Sequence, residues 1–226
     1  MKKLFLCIFV VTGFIALAVP IQAASFTVGF YDEFSGDGAK PPEGPTPWLV
    51  ATFDDGGSPG SVALTMAATN LTDKEWVSDW YFNFFDPGLS VIDLVFTYIS
   101  GSGPEPGGIK LSNNGSKADG GGLYDIQFSW NNGDLTGDDI PVEYSITGDS
   151  IVADSFNELS SQSGGNGTWV SAAHIQSIGD DNEGSGFIGG LITTEGPAPI
   201  PEPATLLLLG VGLVGLAGFG RKKLIK

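Results

Sequence analysis

The chain has 226 residues, with 10 basic and 26 acidic side chains for a formal charge of −16, 34 glycines, one cysteine and one histidine. So acidic a balance excludes nucleic-acid binding, which needs cationic contacts to displace counterions. One cysteine excludes a disulfide framework, and one histidine beside it excludes the usual zinc ligand sets.

The N-terminus opens with Lys2 and Lys3, followed by an apolar run from Leu4 to Val19 that Pro20 breaks. Small Ala23 then stands where a signal protease cuts. This is the layout of a secretory signal peptide over residues 1–23, with cleavage expected between Ala23 and Ala24. An uncleaved membrane anchor is the alternative reading. Cys7 lies inside the apolar run after Leu6, so it does not mark a lipoprotein. The exported part therefore has no cysteine, and its stability must come from a packed core or bound ions.

Residues 24–200 carry 25 acidic against 4 basic residues, a formal charge of −21, and the four cations are all lysines. This charge favours solubility outside the cell, opposes adhesion to an anionic membrane face, and leaves carboxylates free for divalent cations. Periodicity of two marks strands. In LYDIQFSW, Tyr124, Ile126, Phe128 and Trp130 alternate with Asp125, Gln127 and Ser129. SVALTMAAT and VEYSIT repeat the pattern, and FTVGFY, WLVATF, DWYFNFF, VIDLVFTYI, TWVSAAHIQSI and GFIGGLI are further strands. Glycine-rich clusters such as DDGGSPG, SNNGSKADGGG and SQSGGNG separate them as turns. VADSFNEL makes at most one helical turn. The expected ectodomain, residues 24–192, is all-β: a single antiparallel β-sandwich, jelly-roll-like, flanked by an N-terminal signal helix and a C-terminal transmembrane helix.

Chemistry is sparse in this segment. His174 shares strand parity with Val170, Ala172, Gln176 and Ile178, a mixed face, and no G-x-S-x-G elbow accompanies it, so a structural histidine and no enzyme are expected. Adjacent acids such as Asp54–Asp55 and Asp138–Asp139 point apart. The metal candidates are Asp180, Asp181, Asn182 and Glu183 in a glycine-bounded loop suited to calcium, although the D-x-D-x-D-G spacing is missing. Asp134, Asp138 and Asp139 are a second such group. Beyond calcium no cofactor is expected. Of five tryptophans, Trp76 and Trp80 flank the polar stretch TDKEWVSDW and are the candidate carbohydrate contacts, because exposed indoles stack on sugar rings.

The chain ends in TTEGPAPIPEPATLLLLGVGLVGLAGFGRKKLIK. Residues 193–200 form a proline-rich linker that favours extended polyproline II. Residues 204–219 carry no charge; as a helix they reach about 24 Å, a short span for a hydrocarbon core of about 30 Å. Arg221, Lys222, Lys223 and Lys226 (within the basic end, 221–226) follow and hold that end in the cytoplasm.

Residues 201–226, in which Pro201–Glu202–Pro203, an apolar helix and a basic end follow in order, resemble the PEP-CTERM sorting signal of bacterial exported proteins. The resemblance implies exosortase as partner, an integral-membrane cysteine protease, with Pro201, Glu202 and Pro203 as its recognition motif. It also implies a Gram-negative, exopolysaccharide-producing cell. YFNFFDPGLSVIDLVFTY, VEYSITGDSIVADSFNELS and WVSAAHIQSIGDDNEGSGFIGG resemble segments of an ectodomain recurrent in such proteins, a resemblance that implies no particular biochemical activity. The expected function is that of an exported, non-catalytic surface or extracellular-matrix protein, sorted by exosortase and associated with exopolysaccharide or biofilm. A calcium-supported carbohydrate-binding module is the alternative. The expected location is the cell surface or matrix after a transient or retained inner-membrane anchor, with the domain on the periplasmic or extracellular side.

Overall fold

The computed structural model describes residues 23–35, 39–72, 74–102, 108–131 and 133–195. The expected signal segment, the sorting motif Pro201–Glu202–Pro203, the transmembrane helix and the basic end lie outside these residues, except for Ala23. Among the described residues no helix is long and apolar enough to cross a membrane.

Ten strands form: β1 (Ser25–Glu33), β2 (Leu49–Asp54), β3 (Ser61–Ala68), β4 (Trp76–Phe82), β5 (Val95–Ser100), β6 (Ile109–Lys117), β7 (Leu123–Ser129), β8 (Val142–Thr147), β9 (Ser171–Ile178) and β10 (Gly184–Glu195). Two single 3-10 turns, Val91–Asp93 and Ala153–Phe156, are the only helical elements among the described residues. The second is the turn expected in VADSFNEL. The first replaces the start of the strand expected at VIDLVFTYI: the Ser90 N–H donates to Asp93 Oδ2 at 3.1 Å and closes the turn.

All pairings between the strands are antiparallel, and hydrogen bonds join them in the order β5-β8-β3-β2-β1-β10-β9-β4-β7-β6. The all-β antiparallel class is as the alternation foretells. The expected two-sheet sandwich differs from what the pairing gives, which is one continuous sheet. The reason is local: β1 pairs with both β2 and β10, and β10 with β9, so the two halves are stitched through the long central strands β1 and β10.

The sheet curls so that its halves meet face to face. Phe53 on β2 touches Phe82 on β4 edge-to-face at 5.2 Å between centroids, and Phe96 on β5 meets Phe128 on β7 at 5.7 Å. Phe53 also stacks between Phe26, at 5.1 Å, and Phe156, at 4.8 Å. Burying such rings is the main favourable term in folding, and offset or edge contacts add to it. Gln22–Ile200 forms one compact unit with this core wholly inside it.

Three buried carboxylates tie loops to that core. Asp55 accepts from the backbone N–H groups of Ala24, Gly57 and Ala153. Glu75 accepts from Glu43 N at 2.8 Å and Thr72 N at 2.8 Å. Asp125 accepts from Phe84 N at 3.1 Å and Asn114 N at 2.6 Å. Charge-assisted bonds of this kind are the strong ones, and a buried carboxylate without them would be costly.

A second aromatic layer covers part of the sheet's outer face. Phe34, Tyr81, Ala118, Tyr124 and Ala172 are buried there, with Trp169 and Phe187 packed against them. Gly189 on β10 makes this possible, since a Cβ at that position would lie 2.3 Å from the Trp169 ring. Burial pushes the phenols of Tyr81 and Tyr124 far up, so both stay protonated.

Candidate functional site

Beside that aromatic layer, register brings a polar group together on the outer face of four strands. Cross-strand partners share a face. Trp76 on β4 pairs with Gln176 on β9, and Asp79 pairs with His174. On the far side of β9, Phe187 of β10 pairs with His174, and on the far side of β4, Ser129 of β7 pairs with Asp79.

Asp79 is the hub. Its Oδ1 accepts from Gln127 Nε2 at 2.9 Å and Ser129 Oγ at 2.7 Å, and its Oδ2 accepts from Ser78 Oγ at 3.1 Å. Ser78 is the extra residue of a bulge, because the β4–β9 register shifts between Val77 and Asp79. A bulge re-aims a side chain, and here it places Ser78 Oγ 3.1 Å from His174 Nδ1. The imidazole lies parallel to the Phe187 ring at 4.1 Å, and Gln176 Nε2 is 3.2 Å from its ring nitrogens. Burial lowers the His174 pKa below the ordinary 6.5, against the opposing pull of Asp79 and Asp119. The ring is therefore neutral at pH 7.

Serine, histidine and aspartate meet here, but not as a relay. A triad needs the nucleophile on one ring nitrogen and the carboxylate on the other. Here both Ser78 Oγ, at 3.1 Å, and Asp79 Oδ2, at 4.0 Å, approach the same Nδ1. What the patch offers is a row of hydrogen-bonding side chains beside half-buried Trp76 and Phe187.

The sequence-expected sites fare unequally. Trp76 joins this patch. Trp80 does not: its side chain is fully buried, edge-on to Phe30 at 5.2 Å, with its indole N–H on Ser171 Oγ at 3.0 Å. A surface role for Trp80 is thereby corrected. The stretch around it is polar, but Trp80 has the inward parity of Phe82. Trp48 and Trp130 are buried as well, and Trp169 is half-buried, stacked on Phe34. Trp76 and Trp169 lie toward opposite ends of β9, so they form no paired platform.

Asp180, Asp181, Asn182 and Glu183 form the β9–β10 turn. Asp181 Oδ1 accepts from Glu183 N at 3.3 Å and faces Lys40 Nζ at 3.9 Å. Asn182 takes a left-handed φ of 56° and donates its N–H to Gly179 O at 2.8 Å. The turn thus closes on its own backbone and a lysine. In the second acidic loop, Asp139 Oδ2 accepts from Thr136 N at 2.7 Å. Among the described residues, no three histidine, cysteine, aspartate or glutamate side chains gather so as to hold a metal.

The mixed parity of TWVSAAHIQSI has a cause that sequence does not show. Ser177 takes a φ of 61°, and the β9–β10 register shifts there, so Ile178 returns to the core while His174 and Gln176 stay outside. The Ser78–Asp79–His174 cluster was hidden for a different reason: it joins residues 96 apart in sequence.

The described part defines the class: an acidic, all-β domain built on one curled antiparallel sheet. The tail adds the particular. A family model described as the PEP-CTERM protein-sorting motif matches residues 199–222, so the chain carries that motif and is consistent with a PEP-CTERM domain-containing protein. The motif implies an exported chain that transits the membrane, is targeted to and processed by exosortase, and is then surface-associated. Comparison with curated proteins and with solved structures gave no match.

Proposed function

We propose that this chain is a non-catalytic surface or extracellular-matrix protein, delivered by exosortase into the exopolysaccharide or biofilm around the cell. The carrying observation is the sorting motif at residues 199–222 joined to a domain of formal charge −21. A sorted, strongly acidic, cysteine-free domain suits a hydrated matrix, where net charge keeps it dispersed. In this reading residues 204–219 cross the inner membrane until processing, with Arg221–Lys226 in the cytoplasm. The pairing of β3 with β8 and of β4 with β7, with β5 and β6 outermost, fits a jelly-roll-like winding opened into one sheet. Fractionating cells tests the proposal. The protein is expected in the surface and matrix fraction, and a chain found only in the cytoplasm or inner membrane overturns it.

A second reading, a carbohydrate-binding module, rests on the outer-face patch: half-buried Trp76 beside Gln176, His174, Asp79 and Gln127. Sugars are bound by one aromatic face together with a few fixed polar groups. The test is retention of the domain on the polysaccharide of the producing cell, with Trp76→Ala as control. Equal retention of both proteins removes this reading and leaves the first standing.

A further inference from the structure

We infer that the structure assigns Asp55 as a receptor for the chain's own new N-terminus, and that signal-peptide removal completes the fold by turning the Ala24 amide into an ammonium at that carboxylate.

Two observations meet at this point. The first is the sequence pattern, which puts cleavage between Ala23 and Ala24. The second is geometric and independent of it. Ala24 is gripped on both sides by one residue: its nitrogen lies 2.8 Å from Asp55 Oδ1, and its carbonyl accepts from Asp55 N at 3.1 Å. Asp55 itself is 7% exposed. The same carboxylate accepts from Gly57 N at 2.9 Å through Oδ1 and from Ala153 N at 3.2 Å through Oδ2. So the acceptor is fixed from three directions, near the N-terminal end of β1.

The scissile bond is equally well placed. Ala23 and Ala24 are exposed and precede β1, which starts at Ser25. A protease can therefore reach the Ala23–Ala24 amide without unpairing a strand. Hydrolysis consumes one water: its oxygen ends in the Ala23 carboxylate, and the Ala24 nitrogen becomes an ammonium at neutral pH. The carboxylate then holds a charged donor where it held a neutral one. The bond is charge-assisted already, through the carboxylate; the ammonium adds an opposite charge at 2.8 Å, and an anion nine-tenths buried gains most from a cation. A cut one residue earlier or later would displace the ammonium from Asp55.

The sign of the pH dependence is fixed. A free α-amino group titrates near pH 7.7–8.0 in roughly unperturbed form. Pairing with Asp55 raises the folded-state value, so the stabilisation is complete below about pH 7.7 and is lost as pH rises through the raised value.

The test uses the compact unit as residues 24–200, made once with a free Ala24 amine and once Nα-acetylated, which removes only the charge. At pH 7 the free amine is expected to melt higher by about 2–4 °C, and at pH 10.5 the two curves should converge. In Asp55→Asn the gap at pH 7 should shrink or vanish. Equal melting at pH 7, or a gap unchanged at pH 10.5, overturns the inference in the wild-type sequence alone, whether or not the variant folds. N-terminal sequencing of the exported chain should begin at Ala24, and any other start overturns it as well.

Discussion

The His174 imidazole lies flat on the Phe187 ring, 4.1 Å away and within 2° of parallel, while Ser78 Oγ approaches its Nδ1 at 3.1 Å. One side chain is thus held by packing on one side and by polar contact along its edge. Burial is what depresses its pKa, and Asp79 and Asp119 only partly offset that. The folded protein therefore binds fewer protons than the unfolded chain once pH drops below the ordinary value of 6.5. The His174 contribution to stability should be flat above about pH 6.5 and fall as pH falls from there toward the folded-state value. His174→Gln is expected to flatten the slope of denaturation midpoint against pH in that window. An unchanged slope would mean that other groups set the acid limb.

Trp80 and Trp76 are four residues apart, and the fold separates their roles. Trp80→Ala should cost about 3–5 kcal/mol in urea denaturation, since it empties a core site and strips Ser171 Oγ of its donor. Trp76→Ala should cost far less, because its ring is half-buried on the outer face. If the two losses came out alike, the assignment of inner and outer faces on β4 would be mistaken.

Glu75 is 2% exposed, and both of its carboxylate oxygens take backbone N–H donors, from Glu43 and Thr72. Removing it strips both N–H groups of their acceptor in part-buried bonds and empties a buried site. Glu75→Ala should lower stability by at least about 2 kcal/mol. Asp180→Ala, in an exposed turn, serves as the contrast and should change stability by no more than about 0.5 kcal/mol.

Much of the sheet was legible because it alternates. SVALTMAAT, LYDIQFSW and VEYSIT each read as half-buried strands, and each is one. β6 was not legible, since its SNNGSK reads as a turn. An edge strand with Asn113, Asn114 and Gly115 exposed has no buried face to generate a period, and a register irregularity between Leu111 and Ser116 breaks what pattern there is. Trp80 shows the opposite failure. Its neighbours in sequence are polar, but parity with Phe82 was the better guide. The outer-face patch was beyond reach, because a bulge at Ser78 and strand register, not spacing, bring its members together.

Carboxylates do the stapling that an ion could have done, as Asp55, Glu75 and Asp125 each clamp backbone N–H groups. A ligand that binds only the folded state raises its stability, so its removal is visible in melting. Excess chelator should leave the melting curve of the domain where it is. A fall of several degrees would reinstate a calcium site, with Asp180–Glu183 the first place to look.

The tail supplies the last expectation. Pro201, Glu202 and Pro203 fall within the matched motif at residues 199–222, and uncharged residues 204–219 with the basic cluster Arg221–Lys226 follow. The prolines of the linker favour an extended chain, which presents the motif to a protease at the membrane surface. On the proposed reading, the apolar run supplies a span and the basic end keeps it from passing through. If residues 1–23 are the export signal that their layout predicts, the two signals separate by mutation. Replacing Pro201, Glu202 and Pro203 with alanine should leave export intact and block maturation. On a gel of fractionated cells, a longer, membrane-retained species should replace the shorter surface form. A strain lacking the protease should give the same longer species with the unmodified chain. If variant and unmodified chain agree in both size and location, the tail is an ordinary anchor, and the matrix proposal loses its delivery route.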